Sequence, residues 1–165
     1  MTTGTLTFFC GKMGAGKSTK AGEIARQQNA VLLSEDQWLA ALYPGQITSL
    51  GDYVHYSNLL KPPIKQLVQS MLAAGTHVVM DFPANTFNQR GWFQQLFSEI
   101  KAPHQLIWLD IEDNVCLQRI AQRSIEQPQR AATDTPEMFA AMNQYFVAPQ
   151  AEEGFNVIRM AHGCL

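Results

Sequence analysis

Five short apolar runs, at residues 6–10, 31–33, 78–80, 106–109 and 155–158, punctuate the chain, with helical patterns of apolar and polar positions between them. Strands alternating with helices predict a parallel sheet with helices on both faces, an α/β fold. The first three runs are almost unbroken in apolar character, as strands covered on both sides require. Residues 19–28 (TKAGEIARQQ) read as the first helix. The segment at residues 35–75 holds two or three helices rather than one crossover, and Ser34, ahead of Glu35 and Asp36, is a fair N-cap for the first of them. Pro62 and Pro63 fall inside the helical stretch at residues 52–74, where they predict a new helix or a kink. A polar stretch, residues 124–135 (SIEQPQRAATDT), separates two later helices and has the composition of a mobile loop. There is no repeat or low-complexity segment, and residues 161–165 read as a frayed end.

At 165 residues, 46% hydrophobic and 16% charged, the chain suits one domain with a substantial core, residues 1–165. The net charge of −2 names no partner, and no basic run exists to hold a nucleic-acid duplex by its phosphates. A short single strand in a cleft stays open. Cys10, Cys116 and Cys164 are too dispersed for a disulfide framework or metal site. His55, His77, His104 and His162 lack ligand spacing, which leaves them surface or packing roles. The start MTTGTLTFF lacks the basic and apolar regions of a signal peptide, and no apolar run approaches the roughly 20 residues of a membrane span. These features predict a soluble cytoplasmic protein with no membrane partner, and they leave monomer and homodimer both open.

Candidate chemistry enters where the first strand ends. Residues 11–18 read GKMGAGKS, a complete G-x-x-x-x-G-K-[ST] phosphate-binding loop between a strand and a helix. Gly11, Gly14 and Gly16 let backbone N–H groups, including those of Lys12, Met13 and Ala15, turn inward around a phosphate. Lys17 supplies a mobile positive charge, Ser18 a hydroxyl for a magnesium ion, and Thr19 opens the helix whose N-terminus faces the anion. The pattern predicts ATP and Mg²⁺ as cofactors.

Sites beyond the loop narrow the class. No Asn-Lys pair exists to build a guanine reader, which argues against a GTPase. The third strand ends in Asp81, where ligands gather in parallel sheets; it is either a second magnesium ligand or a cap for the next turn. Asp36 lies nineteen positions after Lys17. A carboxylate there can take a proton from a substrate hydroxyl, although the first turn of a helix favours an Asp in any case. Arg119 and Arg123 share one helix face beside the polar stretch that contains Arg130. Closing over a transferring phosphoryl group is one role for these arginines, and pairing with Glu112, Asp113 and Glu126 on a solvated face is the other.

Together, GKMGAGKST, the SED segment with Asp36, VVMDF with Asp81, CLQRIAQR with Arg119 and Arg123, and TPEMFAAMNQYFVAPQAEEGFNVI resemble the small P-loop kinases. These include the kinase domain of polynucleotide kinase, chloramphenicol phosphotransferase and the zeta toxins, with an AAA-type ATP-binding domain. The resemblance spans most of the chain. It implies a three-layer P-loop NTPase fold with a five-stranded parallel sheet, adenylate-kinase-like, a substrate region at about residues 35–75 and a lid at about 124–135. It also implies Asp36 as the catalytic base, Lys17 and Arg123 as γ-phosphate ligands, Arg119 and Arg130 as further nucleotide contacts, and Ser18 with Asp81 at the magnesium.

One departure bears on the acceptor. Polynucleotide kinases place an Arg three positions after the catalytic Asp, and here Leu39 stands there. With Trp38, Tyr43, Tyr53 and Tyr56 nearby, the pocket suits a neutral or partly apolar small molecule, unless these aromatics are core. Trp92, Phe93 and Phe97 read as core, and Asn85, Asn88 and Arg90 reach the acceptor or cap a helix. The expected activity is ATP-dependent transfer of the γ-phosphoryl group to a hydroxyl of a small molecule. A polynucleotide 5′-hydroxyl kinase, a zeta-toxin-like nucleotide-sugar kinase and a non-catalytic ATP-binding module are the alternatives.

Overall fold

A computed structural model describes residues 2–131 and 133–161. Of the frayed end expected at residues 161–165, Ala161 instead closes the last strand, and residues 162–165, with His162 and Cys164, lie outside the described residues. Five strands, β1 (Leu6–Gly11), β2 (Val31–Ser34), β3 (Val78–Asp81), β4 (His104–Asp110) and β5 (Val157–Ala161), form one sheet in the order β2-β3-β1-β4-β5. Every neighbouring pair is parallel. The helices are α1 (Lys17–Gln28), α2 (Glu35–Leu42), α3 (Leu50–Ala73), α4 (Phe87–Ser98), α5 (Asp113–Glu126) and α6 (Pro136–Asn143).

Side chains of a strand alternate between faces, and β1 divides its residues accordingly. Leu6, Phe8 and Cys10 enter a core shared with Leu39 of α2, Leu60, Ile64, Val68 and Leu72 of α3, and Phe93, Leu96 and Phe97 of α4. Phe9 enters a second core with Ala21 and Ile24 of α1, Cys116 and Ile120 of α5, and Phe139 of α6. The result is three layers, helix on sheet on helix. Phe8 stacks on Phe93 with ring centres 4.4 Å apart, fixing α4 against the sheet.

Two expectations change. Of the new helix or kink expected at Pro62 and Pro63, no new helix starts there; α3 runs through them as one element of 24 residues. Its buried positions, Ser57, Leu60, Ile64, Val68 and Leu72, hold the inner face on the core, while the two prolines and the neighbouring Asn58 and Leu59 are exposed. Packing of that stripe outweighs the two backbone hydrogen bonds that proline cannot donate. The last strand begins at Val157 rather than Phe155, because Phe155 turns its ring into the aromatic cluster of Phe8, Phe97 and His104 instead of continuing the ladder. The polar stretch expected at residues 124–135 is shorter as a loop: α5 continues to Glu126, a short 3₁₀ turn spans Pro128–Arg130, and Thr135 caps α6. His55, His77 and His104 serve local contacts, by ring packing on Tyr56, by accepting from Thr5 N–H, and by stacking on Phe97.

Candidate functional site

The phosphate loop leaves the carboxyl end of the central strand β1, the edge of a parallel sheet where ligands bind. Gly14 (φ +79°) and Gly16 (φ +98°) both take the left-handed conformation. A Cβ on Gly14 would also come within 2.7 Å of the Cys116 carbonyl oxygen, so α5 packs directly on the loop. Asn85 Oδ1 accepts from Gly11 N–H at 2.9 Å and ties the loop to the turn after β3. Arg119 donates to the Ala15 carbonyl at 3.0 Å, Lys12 pairs with Asp113 at 2.7 Å, and Met13 packs against the second core. Gly16, at the N-cap of α1, brings no capping side chain, which leaves the first N–H groups of the helix open to an anion. Thr19 is exposed in that first turn.

Lys17 arches back over the loop and donates to the carbonyls of Gly11 at 2.5 Å and Lys12 at 3.1 Å. Removal from water lowers its pKa, and the charge of Asp81 opposes that shift. Ser18 donates to Asp81 Oδ2 at 2.6 Å, so the fold joins the two residues expected at magnesium. Burial raises the Asp81 pKa, and Asp36 raises it further while the Ser18 hydrogen bond and Lys17 act against this.

The register of β2 on β3 sets Ser34 beside Asp81. Ser34 then caps α2 by accepting from Gln37 N–H, and Asp36 falls in the first turn with its side chain exposed. The charge of Asp36 acts on Asp81 at the loop and on Glu35 and Tyr53 on the other side.

Arg123 and Arg130 converge on one carboxylate. Arg123 forms a bidentate pair with Asp134 at 2.7 and 2.9 Å, and Arg130 adds a contact at 3.1 Å. Asp134 is buried, with 1% of its side chain exposed. The solvated pairing considered with Glu112, Asp113 and Glu126 is corrected in part: Asp113 pairs with Lys12 and Glu126 accepts from Gln122. Arg123 nevertheless lies close enough to Lys17 to help lower its pKa.

The structure also shows a cleft that the sequence did not reveal. It holds about 120 Å³ and is lined by Glu35, Ser57, Lys61, Phe82, Gln89 and Trp92, among others. Glu35, 3% exposed, accepts from the hydroxyl of Tyr53 and from that of Ser57, the latter at 2.9 Å. Burial pushes its pKa up, and the two hydroxyl donors push back. Tyr53, Ser57 and Lys61 sit four apart on α3, a polar stripe that is a readable signal for this cleft. Tyr53 lines the cleft and, with Trp38, Tyr43 and Tyr56, also packs against the core. Trp92 does both, correcting its reading as core alone.

Arg90 neither reaches the cleft nor caps a helix. It is fully buried, pairs with Glu153 at 2.8 Å and donates to the carbonyls of Ala84, Val147 and Ala148. Thr86, not Asn85 or Asn88, caps α4. Asn88 is exposed on that helix. No helix among the described residues is long and apolar enough to cross a membrane, and no group of three metal-ligating side chains occurs among them.

Sheet order, phosphate loop and layer arrangement define a three-layer P-loop NTPase fold. The chain belongs to the AAA domain family, whose profile matches residues 6–149. Among solved structures it is similar to a protein from Chloroflexus aurantiacus proposed to be a kinase, with TM-score 0.73 and 19% identity over 98% of this chain and 86% of that one. It is also similar to a sugar kinase from Janibacter, with TM-score 0.64 and 14% identity over 96% of this chain and 85% of that one. A third is the APS kinase CysC of Mycobacterium tuberculosis in complex with AMPPNP and APS, with TM-score 0.63 and 14% identity over 99% and 91%. At such identities the likeness establishes the fold. No curated protein matches the sequence.

Proposed function

We propose that the protein is an ATP-dependent kinase that transfers the γ-phosphoryl group to a hydroxyl of a small-molecule acceptor. One observation carries this reading: Asp36 directly follows Glu35, which lines the cleft, and lies two residues after Ser34, which the sheet register sets beside Asp81 at the loop. A nucleotide's phosphates fit the loop, where Gly14 leaves no room for a side chain and the N-terminus of α1 lacks a cap. The joined Ser18 and Asp81 suit Mg²⁺, a hard cation that takes oxygen ligands and, when bound, neutralises phosphate charge. Family membership and the kinases among similar folds support the same reading.

In this scheme Lys17 leaves its carbonyl partners for the phosphates, an exchange favoured because anionic oxygens relieve the desolvation that lowers its pKa. Asp36 accepts the proton of the acceptor hydroxyl, whose oxygen attacks the γ-phosphorus as the bond to the β–γ bridging oxygen breaks and ADP leaves with that electron pair. Arg123, released from Asp134, completes the charge around the moving group.

Asp36→Asn should retain ATP affinity, measured by calorimetry, while acceptor-dependent ADP formation drops about 100-fold, the usual size of a general-base effect. Glu35→Gln separates the two neighbouring acids: a larger loss there than in Asp36→Asn assigns the base to Glu35. Unchanged turnover in Asp36→Asn removes it from the chemistry. ATP binding without acceptor-dependent ADP formation, across a fractionated metabolite extract, would mark a nucleotide-binding module instead.

A further inference from the structure

The kinase reading leaves the acceptor's chemistry open, and the cleft beside Asp36 narrows it. Its lining combines one buried carboxylate, one lysine, two side-chain amides and an aromatic wall: Glu35, Lys61, Asn58, Gln89, and Trp92 against Phe82, whose ring centres lie 6.0 Å apart. Both Glu35 oxygens are engaged, Oε1 by Tyr53 and Oε2 by Ser57. Each oxygen thus already accepts a hydrogen bond from one of the protein's own hydroxyls.

Lys61 is placed differently. Its ammonium lies 5.8 Å from the centre of the Trp92 ring, in cation–π range, and it enters no ion pair among the described residues. A lysine that makes no close ion pair, its charge acting on the neighbouring Glu35 only from a distance, keeps its ammonium donors available to an anionic ligand. The indole holds the ammonium against the wall without neutralising it. On the measure by which one water takes ~10–15 Å³, a cleft of about 120 Å³ has room for on the order of ten waters. That accommodates a short polyhydroxylated chain whose hydroxyls meet Asn58 and Gln89 and whose C–H face lies on Trp92.

Resting on the kinase reading, we propose that the acceptor is a small hydroxylated carboxylate, a short sugar-acid type of molecule, with its carboxylate on Lys61 and a hydroxyl presented to Asp36. The transfer forms an O–P bond on that hydroxyl oxygen; its proton goes to Asp36, and ADP departs with the electrons of the broken P–O bond. The product is a phosphorylated hydroxy acid. This revises the neutral, partly apolar acceptor that the aromatic residues of the inserted region suggested.

The test pairs acids with their neutral counterparts: glycerate, erythronate and gluconate against glycerol, erythritol and sorbitol, each with Mg²⁺-ATP and scored by ADP formation and by mass of the product. At least one acid should exceed the polyol of its length by about tenfold or more in kcat/KM, as expected for a charge-assisted hydrogen bond of about 1.5–3 kcal/mol. In Lys61→Met the acid-to-polyol ratio should collapse about tenfold, mainly through KM, and Lys61→Arg should recover it to within about threefold, since the charge persists. Equal use of acids and polyols, or an equal effect of Lys61→Met on both, overturns the assignment. So does failure of every acid. In that event, slow Mg²⁺-dependent ATP hydrolysis that disappears in Lys17→Ala keeps the kinase reading standing, and absence of that hydrolysis defeats both.

Discussion

His104 shows how a single residue can be placed by patterning yet given its properties by its neighbours. It opens β4, stacks on Phe97 at 3.8 Å, and its Nε2 accepts from Asn156 N–H at 3.0 Å. That hydrogen bond needs a neutral ring, and burial lowers the pKa below its usual 6.5. With the folded value depressed, the contribution of His104 to stability is full above 6.5 and is lost as pH falls through the folded value. Thermal midpoints should therefore decline as pH falls below 6.5, and His104→Leu should flatten that decline. An unchanged slope in the variant would assign the acid sensitivity elsewhere. Glu35 works with the opposite sign: its raised pKa favours the protonated fold, so its contribution is lost as pH rises. Neither effect is legible in the chain, because both depend on burial by residues distant in sequence.

At the scale of elements, periodicity located the strands and the first helix within a few residues, since apolar runs and turn chemistry are local. It failed where long-range contact intervened. Pro62 and Pro63 read as a new helix or a kink, and the buried stripe of α3 excludes the new helix by carrying one helix past them. Arg90 read as reaching the acceptor or capping a helix, yet it clamps α4 to the segment ahead of β5 through Glu153 and the carbonyls of Val147 and Ala148. Removing one partner of a buried pair leaves an uncompensated charge, which costs about 3–5 kcal/mol. Glu153→Gln should cost about 3 kcal/mol, the lower end, because Arg90 keeps its carbonyl acceptors. Denaturant unfolding checks this, and a loss below about 1 kcal/mol would show that the carbonyls alone hold the arginine.

For the whole molecule, the sheet order brings together groups that the chain keeps far apart. Ser18 meets Asp81 across 63 positions, and Arg119 reaches the loop across 104. Asp134 adds a contact that no motif signals: it holds both Arg123 and Arg130, the arginines expected to meet phosphate. A carboxylate there competes with a nucleotide for the guanidinium groups. Asp134→Asn should tighten ATP binding by about threefold to tenfold while lowering the thermal midpoint, as two arginines lose a buried charge partner. Weaker ATP binding would instead show that Asp134 holds the arginines in place for the phosphates. The sequence by itself determined the α/β class and the phosphate loop, because strand patterning and a glycine-rich turn are short-range properties of consecutive residues. It also marked Asp36 and Asp81, since each follows directly from the end of a strand. Only the tertiary structure decided how Ser18 engages Asp81, which carboxylate holds Arg123, and which side chains line the cleft beside Glu35. Those contacts arise when a parallel sheet gathers its strand ends at one edge, a long-range arrangement that no local pattern encodes.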